Sequence, residues 1–257
     1  PELFVTIRAL ENGNPDIAIG GILGSNIANI LLVLGISLFL VKNKSIDSIS
    51  LKDIFVMLMA TFLFCYFMYS GSISKNWSYI MIISLPIYLY ISYKIFNKKN
   101  DNFDYQSIDS NIIILINLFL GFVLLIYGSQ LFIGGLIFIS KFYSIPESVV
   151  GISLAAIGTS LPELSVTVAA FVRKEGSVAL GNIVGSNIFN IIGVLGFSVL
   201  ISGEINISNE FKGINSIILL AASFWVLYIA MKKPNNTKLF GFISILSYAF
   251  YTIFIYL

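Results

Sequence analysis

The sequence contains no histidine, a single cysteine, and charge on only 11% of its 257 residues. Without histidine there can be no imidazole-ligated metal site, no metalloprotease His pair and no histidine proton shuttle. One cysteine cannot close an internal disulfide, and Cys65, set in an apolar run, reads as a core or lipid-facing residue. Fifteen Lys and Arg against thirteen Asp and Glu leave a net charge of +2, with no basic run dense enough to track a phosphate backbone. Nucleic acid is therefore not an expected partner. What the chain has instead is apolar mass: 57% of residues are hydrophobic and mean hydropathy is +0.92. A water-soluble surface cannot carry that much.

A helix crosses a bilayer core with about 20 apolar residues, because every backbone N–H and C=O must be satisfied within the segment. Eight stretches meet that demand: 17–41, 54–74, 76–93, 110–140, 148–172, 176–203, 213–231 and 239–257. The expected fold class is all-α, a polytopic membrane protein. A shorter apolar piece from Leu3 to Leu10 precedes the spans. It is too short to cross, and the chain opens on Pro1, so the expectation is a helix cut at its start, an N-terminally truncated chain, with no signal peptide visible.

Assigning connections alternately to two sides groups Lys42, Lys44, Lys52, Lys94, Lys98, Lys99, Arg173, Lys174, Lys232, Lys233 and Lys238 against Arg8, Lys75, Lys141 and Lys212. The positive-inside bias puts the larger group in the cytoplasm and the C-terminus outside. Trp77 and tyrosines near span ends suit interfacial belts. The Asn-, Asp- and Lys-rich stretch 97–109 reads as a cytoplasmic linker between a first half, 1–96, and a second, 110–257.

Sliding the sequence along itself by 161 positions superposes Pro1-Glu2-Leu3 on Pro162-Glu163-Leu164, Thr6 on Thr167, and Gly20 on Gly181. The same shift lays Gly24-Ser25-Asn26-Ile27 on Gly185-Ser186-Asn187-Ile188, Asn29 on Asn190, and Val33-Leu34-Gly35 on Val194-Leu195-Gly196. Roughly half of the first 35 positions match without a gap, and the matches include Glu, Asn, Ser, Thr, Pro and Gly, which shared hydrophobicity does not explain. The repeats occupy 1–35 and 151–196. Counting crossings gives them opposite directions, the inverted arrangement that brings equivalent residues face to face near mid-membrane.

Among thirteen acidic residues, only Glu2 and Glu163 lie at depth in membrane helices, and they share one repeat position. A carboxylate there costs about 2.5–3.5 kcal/mol on insertion scales and is a functional candidate by default. Near Glu163, Thr159 and Ser160 lie four and three residues away on one helical face. Pro162 is expected to break the helix and free carbonyls around Gly158 toward a ligand. In the second element Ser186 and Asn190 are four apart, mirrored by Ser25 and Asn29. The Gly20/Gly24 and Gly181/Gly185 spacings are expected to let both helices pack closely on neighbours. Carboxylates, hydroxyls, amides and backbone oxygens, with no nitrogen or sulfur, suit a hard cation; two carboxylates match one calcium ion, and the same oxygens could hold sodium or take up protons.

The runs Gly158-Thr159-Ser160-Leu161-Pro162-Glu163 and Gly181-Asn182-Ile183-Val184-Gly185-Ser186-Asn187-Ile188-Phe189-Asn190 resemble the α-repeat of sodium/calcium exchangers, within the cation/calcium antiporter superfamily. The copy at Pro1–Gly35 looks like the other α-repeat. The resemblance implies a prokaryotic-type ten-helix antiporter in the cytoplasmic membrane, of which this chain holds the end of the second helix and helices three to ten. It implies ion ligands at Thr159, Ser160, Glu163, Ser186 and Asn190 from one repeat and Glu2, Ser25 and Asn29 from the other. It implies calcium exchanged for sodium by alternating access, the 110–140 span rocking against a fixed core, with the bilayer as surroundings and no cofactor. Three departures stand out. The Thr-Ser expected before Pro1 and the first helix are absent from the sequence. Gly21 stands where the second copy has Asn182. Asn29 and Asn190 are amides where some relatives carry aspartate, which argues against potassium dependence. Calcium/proton exchange on the same fold and a passive cation channel are the rival readings. An enzyme is not expected.

Overall fold

The computed structural model describes residues 1–40, 51–97, 111–173, 175–233 and 236–257; the expected linker, apart from Asn97, falls outside them, as do Lys42 and Lys44. Nine helices are described: α1 (Glu2–Glu11), α2 (Pro15–Leu40), α3 (Leu51–Ser70), α4 (Lys75–Asn97), α5 (Asn111–Tyr143), α6 (Glu147–Val172), α7 (Gly176–Ser202), α8 (Ile214–Lys232) and α9 (Thr237–Ile255). Two short strands, β1 (Ser72–Ile73) and β2 (Ile205–Asn206), pair antiparallel.

Among the described residues seven helices are long and apolar enough to cross a membrane, one fewer than the eight stretches in the sequence. The difference is α4, which carries serines, tyrosines and Pro86 and is less apolar than the others. It nevertheless meets α3 near both ends, beginning with Trp77, which packs edge-on against Phe67. Its start follows β1, and near its end Tyr88 and Ser92 donate to the carboxylate of Asp53, in the first turn of α3, at 3.2 and 3.4 Å.

The connections confirm the opposed direction of the repeats. Asp16, which opens α2, meets Ser208 and Glu210, which follow the end of α7. Ser148, at the start of α6, donates to the same Glu210. The β1–β2 pair joins the α3–α4 and α7–α8 connections on that side too. One helix therefore starts where its repeat mate ends. The 161 shift also carries α3 onto α8 and α4 onto α9, with boundaries moved by about one to three residues.

The halves are interlocked. Gly35 of α2 lies against Gly241, Ser244 and Ile245 of α9, while its mate Gly196 of α7 lies against Met81 and Ile82 of α4. Thus the last helix of each half, α4 or α9, packs on α7 or α2 of the other. This makes α2 and α7 the centre of the molecule: 89% and 72% of their spans are buried, against 6% for α5 and 22% for α9. Phe64 and Phe67 of α3 with Ile30, Leu34, Ile188 and Leu195 form the apolar interior. The long α5, about 50 Å at 1.5 Å per residue, touches the rest mainly through Ser129, Ile133, Leu136 and Ser140.

Two expectations are corrected. The helix runs unbroken through Pro162, because α6 stays regular from Ala156 to Val172; the widened turn comes earlier, as a π segment at Gly151–Ala155. Matching π segments occupy Asn29–Val33 in α2 and Phe189–Leu195 in α7. Second, close glycine packing holds in one half only. A Cβ on Gly20 would sit 2.8 Å from the Ser148 carbonyl oxygen and one on Gly24 would overlap the Ile152 carbonyl, so backbone meets backbone where α2 crosses α6. Gly181 and Gly185 have nothing within 4 Å.

Candidate ion site between the repeats

The two glutamates come together from different elements. Glu2 opens α1, and Glu163 lies about two turns into the regular part of α6. Both face a cavity of about 550 Å³, whose wall also includes Gly181, Asn182, Gly185, Ser186 and Asn190 of α7. Glycines at 181 and 185 leave the wall without side chains, which is why the cavity reaches the backbone of α7 there. The Glu2 carboxylate is in contact with Thr159 of α6 and lies near enough to Glu163 for the two charges to interact.

The remaining expected ligands sit around that wall at different depths. Asn190 is buried and donates from Nδ2 to the Ser25 hydroxyl at 3.1 Å, so Ser25 lies one hydrogen bond behind the cavity. Ser25 itself donates to the Ile22 carbonyl. Thr159 and Ser160 are buried; Thr159 lines a second, smaller space of about 180 Å³ with Val5, Gly128 and Phe132. The structure does not bring Asn29 to the cavity wall. Its Nδ2 donates instead to Asn187 Oδ1 at 3.1 Å. All eight candidates belong to the contact region of α1, α2, α6 and α7.

Several side-chain oxygens here are buried and lack a hydrogen-bond partner among the described residues: Glu2 Oε1, Glu163 Oε2, Ser160 Oγ, Asn26 Oδ1 and Asn29 Oδ1. Buried polar atoms are almost always paired, so a cluster of unpaired acceptors needs a cause. All five are oxygens, and the set holds no nitrogen or sulfur donor atom, which is the chemistry of a hard cation. The π turns add to this, since each widened turn leaves a backbone carbonyl without its usual partner four residues on.

Sequence reasoning overlooked three residues. Asn26 and Asn187, matched by the 161 shift but not singled out, form one of the contacts between the halves: Asn187 Nδ2 donates to the Asn26 carbonyl at 3.1 Å. Asn182, noted only for its mismatch with Gly21, ties α7 to α6 by donating to Thr167 Oγ1 at 3.0 Å and to the Glu163 carbonyl at 3.4 Å. The repeat itself was the signal for the first two.

The family described as sodium/calcium exchanger protein matches residues 1–94 and 113–257. The chain belongs to the sodium/calcium exchanger family. Inner membrane protein YrbG of Escherichia coli K12 is 29% identical over 248 residues, spanning 91% of this chain and 75% of its own. Sodium/calcium exchanger MaX1 of Methanosarcina acetivorans is 29% identical over 242 residues, 78% of this chain and 69% of its own. Among solved structures, the sodium-calcium exchanger NCX_Mj soaked with sodium and calcium superposes with a TM-score of 0.67 at 28% identity, covering 97% of this chain and 80% of that one. As an exchanger-family member with seven apolar helices among its described residues, the chain is an integral, multi-pass membrane protein of the cation/calcium antiport class. The family and its solved representative are exchangers, not enzymes.

Proposed function

We propose that the intact protein exchanges calcium for sodium across a prokaryotic inner membrane by alternating access. The observation that carries this reading is the set of unpaired buried oxygens beside the paired glutamates, lying where the two inverted repeats meet. Calcium takes 6–8 oxygens in a flexible shell. Glu2 and Glu163 supply the charge that balances it, and Ser160, Ser186, Asn190 and Thr159 supply neutral oxygens nearby. Asn29 and Ser25 act from behind, through Asn187 and Asn190. Sodium needs the same carboxylates, so calcium must leave before sodium can occupy the site; this competition is what couples the two fluxes. The relative's name supports sodium as the coupling ion. The halves 1–96 and 110–257 form the two opposed units. The moving element is α5, which is attached along one short face and whose glycines 121, 128, 134 and 135 meet nothing within 4 Å.

In vesicles of known orientation, an imposed sodium gradient at fixed pH drives calcium uptake. Glu163→Gln removes one of two site charges while keeping the side chain's size, and uptake falls by at least about a hundredfold, the loss of a charged ligand worth about 3 kcal/mol. Undiminished sodium-driven uptake by that variant refutes the assignment. Uptake driven by a proton gradient but not by sodium moves the protein to the calcium/proton reading, and uptake needing no counter-ion makes it a channel.

A further inference from the structure

Asn26 and Asn187 occupy one repeat position, yet the structure uses them unequally. Asn187 reaches into the other half: its Nδ2 donates to the Asn26 carbonyl and its Oδ1 accepts from Asn29, both at 3.1 Å. Asn26 stays on its own helix, donating to the Ile22 carbonyl at 2.7 Å. Its Oδ1 is buried with no partner among the described residues. The amides one turn on differ in the same way, Asn29 being held by Asn187 and Asn190 by Ser25.

Applying the 161 shift to these bonds generates a second, equally complete pattern. Asn26 would donate to the Asn187 carbonyl, Asn190 to Asn26 Oδ1, Asn29 to the Ser186 hydroxyl, and Asn187 to the Ile183 carbonyl. The acceptor that the second pattern fills, Asn26 Oδ1, is one of the two amide oxygens left unpaired in the first, the other being Asn29 Oδ1. Every residue that the second pattern requires is present, because the repeat preserves all four pairs. Alternating access moves one repeat or bundle against the other around the site between them, so two mirror-related bonding patterns across that seam correspond to two access states.

We propose that Asn26 and Asn187 are positioning residues that trade roles between the two access states, and that this structure holds one of the two patterns. The inference rests on the antiport reading above for the meaning of those states. Each pattern aims a different amide: with Asn187 reaching across, the Asn29 amide is fixed and its Oδ1 is left free, and in the other pattern Asn190 is held by Asn26.

The test uses the intact protein in oriented vesicles. Asn187→Ala removes bonds of the pattern seen here, whereas Asn26→Ala keeps the Asn26 carbonyl that this pattern uses and removes bonds of the other. One buried hydrogen bond is worth a factor of about five in population. Half-saturating calcium is measured from each face, and the ratio of the two values shifts by about fivefold in opposite directions in the two variants, returning toward the starting ratio in the double variant. A second readout needs no ion: in a Cys65→Ala background, Phe189→Cys, on the cavity wall, reacts with a membrane-impermeant thiol reagent more slowly with Asn187→Ala and faster with Asn26→Ala. If the alanine variants do not accumulate as folded protein, Asn187→Ser and Asn26→Ser carry the same comparison. Shifts in the same direction, or no shift, overturn the proposal. Opposite labelling shifts in a protein that moves no calcium retain the amide exchange and sink only the antiport reading.

Discussion

Gly20 and Gly24 in one half and Gly181 and Gly185 in the other share identity and spacing, but α6 presses its backbone onto the first pair while the second pair borders the cavity. The stretch of α6 that closes over Gly20 and Gly24, residues 148–156, has no counterpart within residues 1–257 at the 161 shift. Among the described residues the first tetrad is packed against backbone and the second is not. A small-residue motif states what distance is permitted between helices, and the neighbour decides whether that distance is used.

The largest effect that sharpens this contrast is steric. In this chain Gly24→Ala drives a methyl group into the Ile152 carbonyl and costs about 3 kcal/mol of stability, since neither backbone can yield easily. Gly185→Ala meets open space and stays within about 0.5 kcal/mol. Thermal unfolding in detergent measures both, and equal losses would break the comparison.

Next comes the mismatch between halves at Asn182 and Gly21. Asn182→Gly makes the second half resemble the first, removes the bond to Thr167 and adds a helical glycine, for a loss of about 2 kcal/mol in the same assay. A loss no larger than that of Gly185→Ala would show that the α6–α7 tie is dispensable.

The smallest effect lies between α3 and α8, where Thr61 Oγ1 and Ser223 Oγ stand 3.2 Å apart. Each hydroxyl has one proton, and each also reaches its own helix carbonyl, Met57 and Leu219, at 2.9 Å. Two protons cannot serve three contacts, so a double-mutant cycle with Thr61→Val and Ser223→Ala gives a coupling at or below about 0.6 kcal/mol. A larger value would mean that the halves are pinned there as well.

The spans were legible because a bilayer imposes one length and one polarity on every crossing, and the boundaries of α5, expected at 110–140 and found at Asn111–Tyr143, show how closely. Direction was legible from the parity of crossings. Glu2 and Glu163 were legible because charge in an apolar run is costly. The π segments were not, since a widened turn depends on what packs beside it and the residues of Asn29–Val33 would serve equally in a regular helix. Pro162 misled for the related reason that a proline already embedded among neighbouring helices can be absorbed without ending its helix. The β1–β2 pair was hidden in connections too short to show a period, and the unequal use of Asn26 and Asn187 cannot appear in a sequence that makes them equivalent.

The crossed partnership of α2 with α9 and of α7 with α4 has a bearing on how the protein is made. Gly35 leaves the ribosome about 200 residues before the surface it rests on, around Gly241. The C-terminal part of α2 must wait in the insertion machinery or in lipid until α9 has been made, whereas α7 finds α4 already in place. Biogenesis is thus asymmetric even though the finished architecture is nearly symmetric, and nascent chains halted before α9 leave a glycine-rich face uncovered for quality-control proteases to recognise.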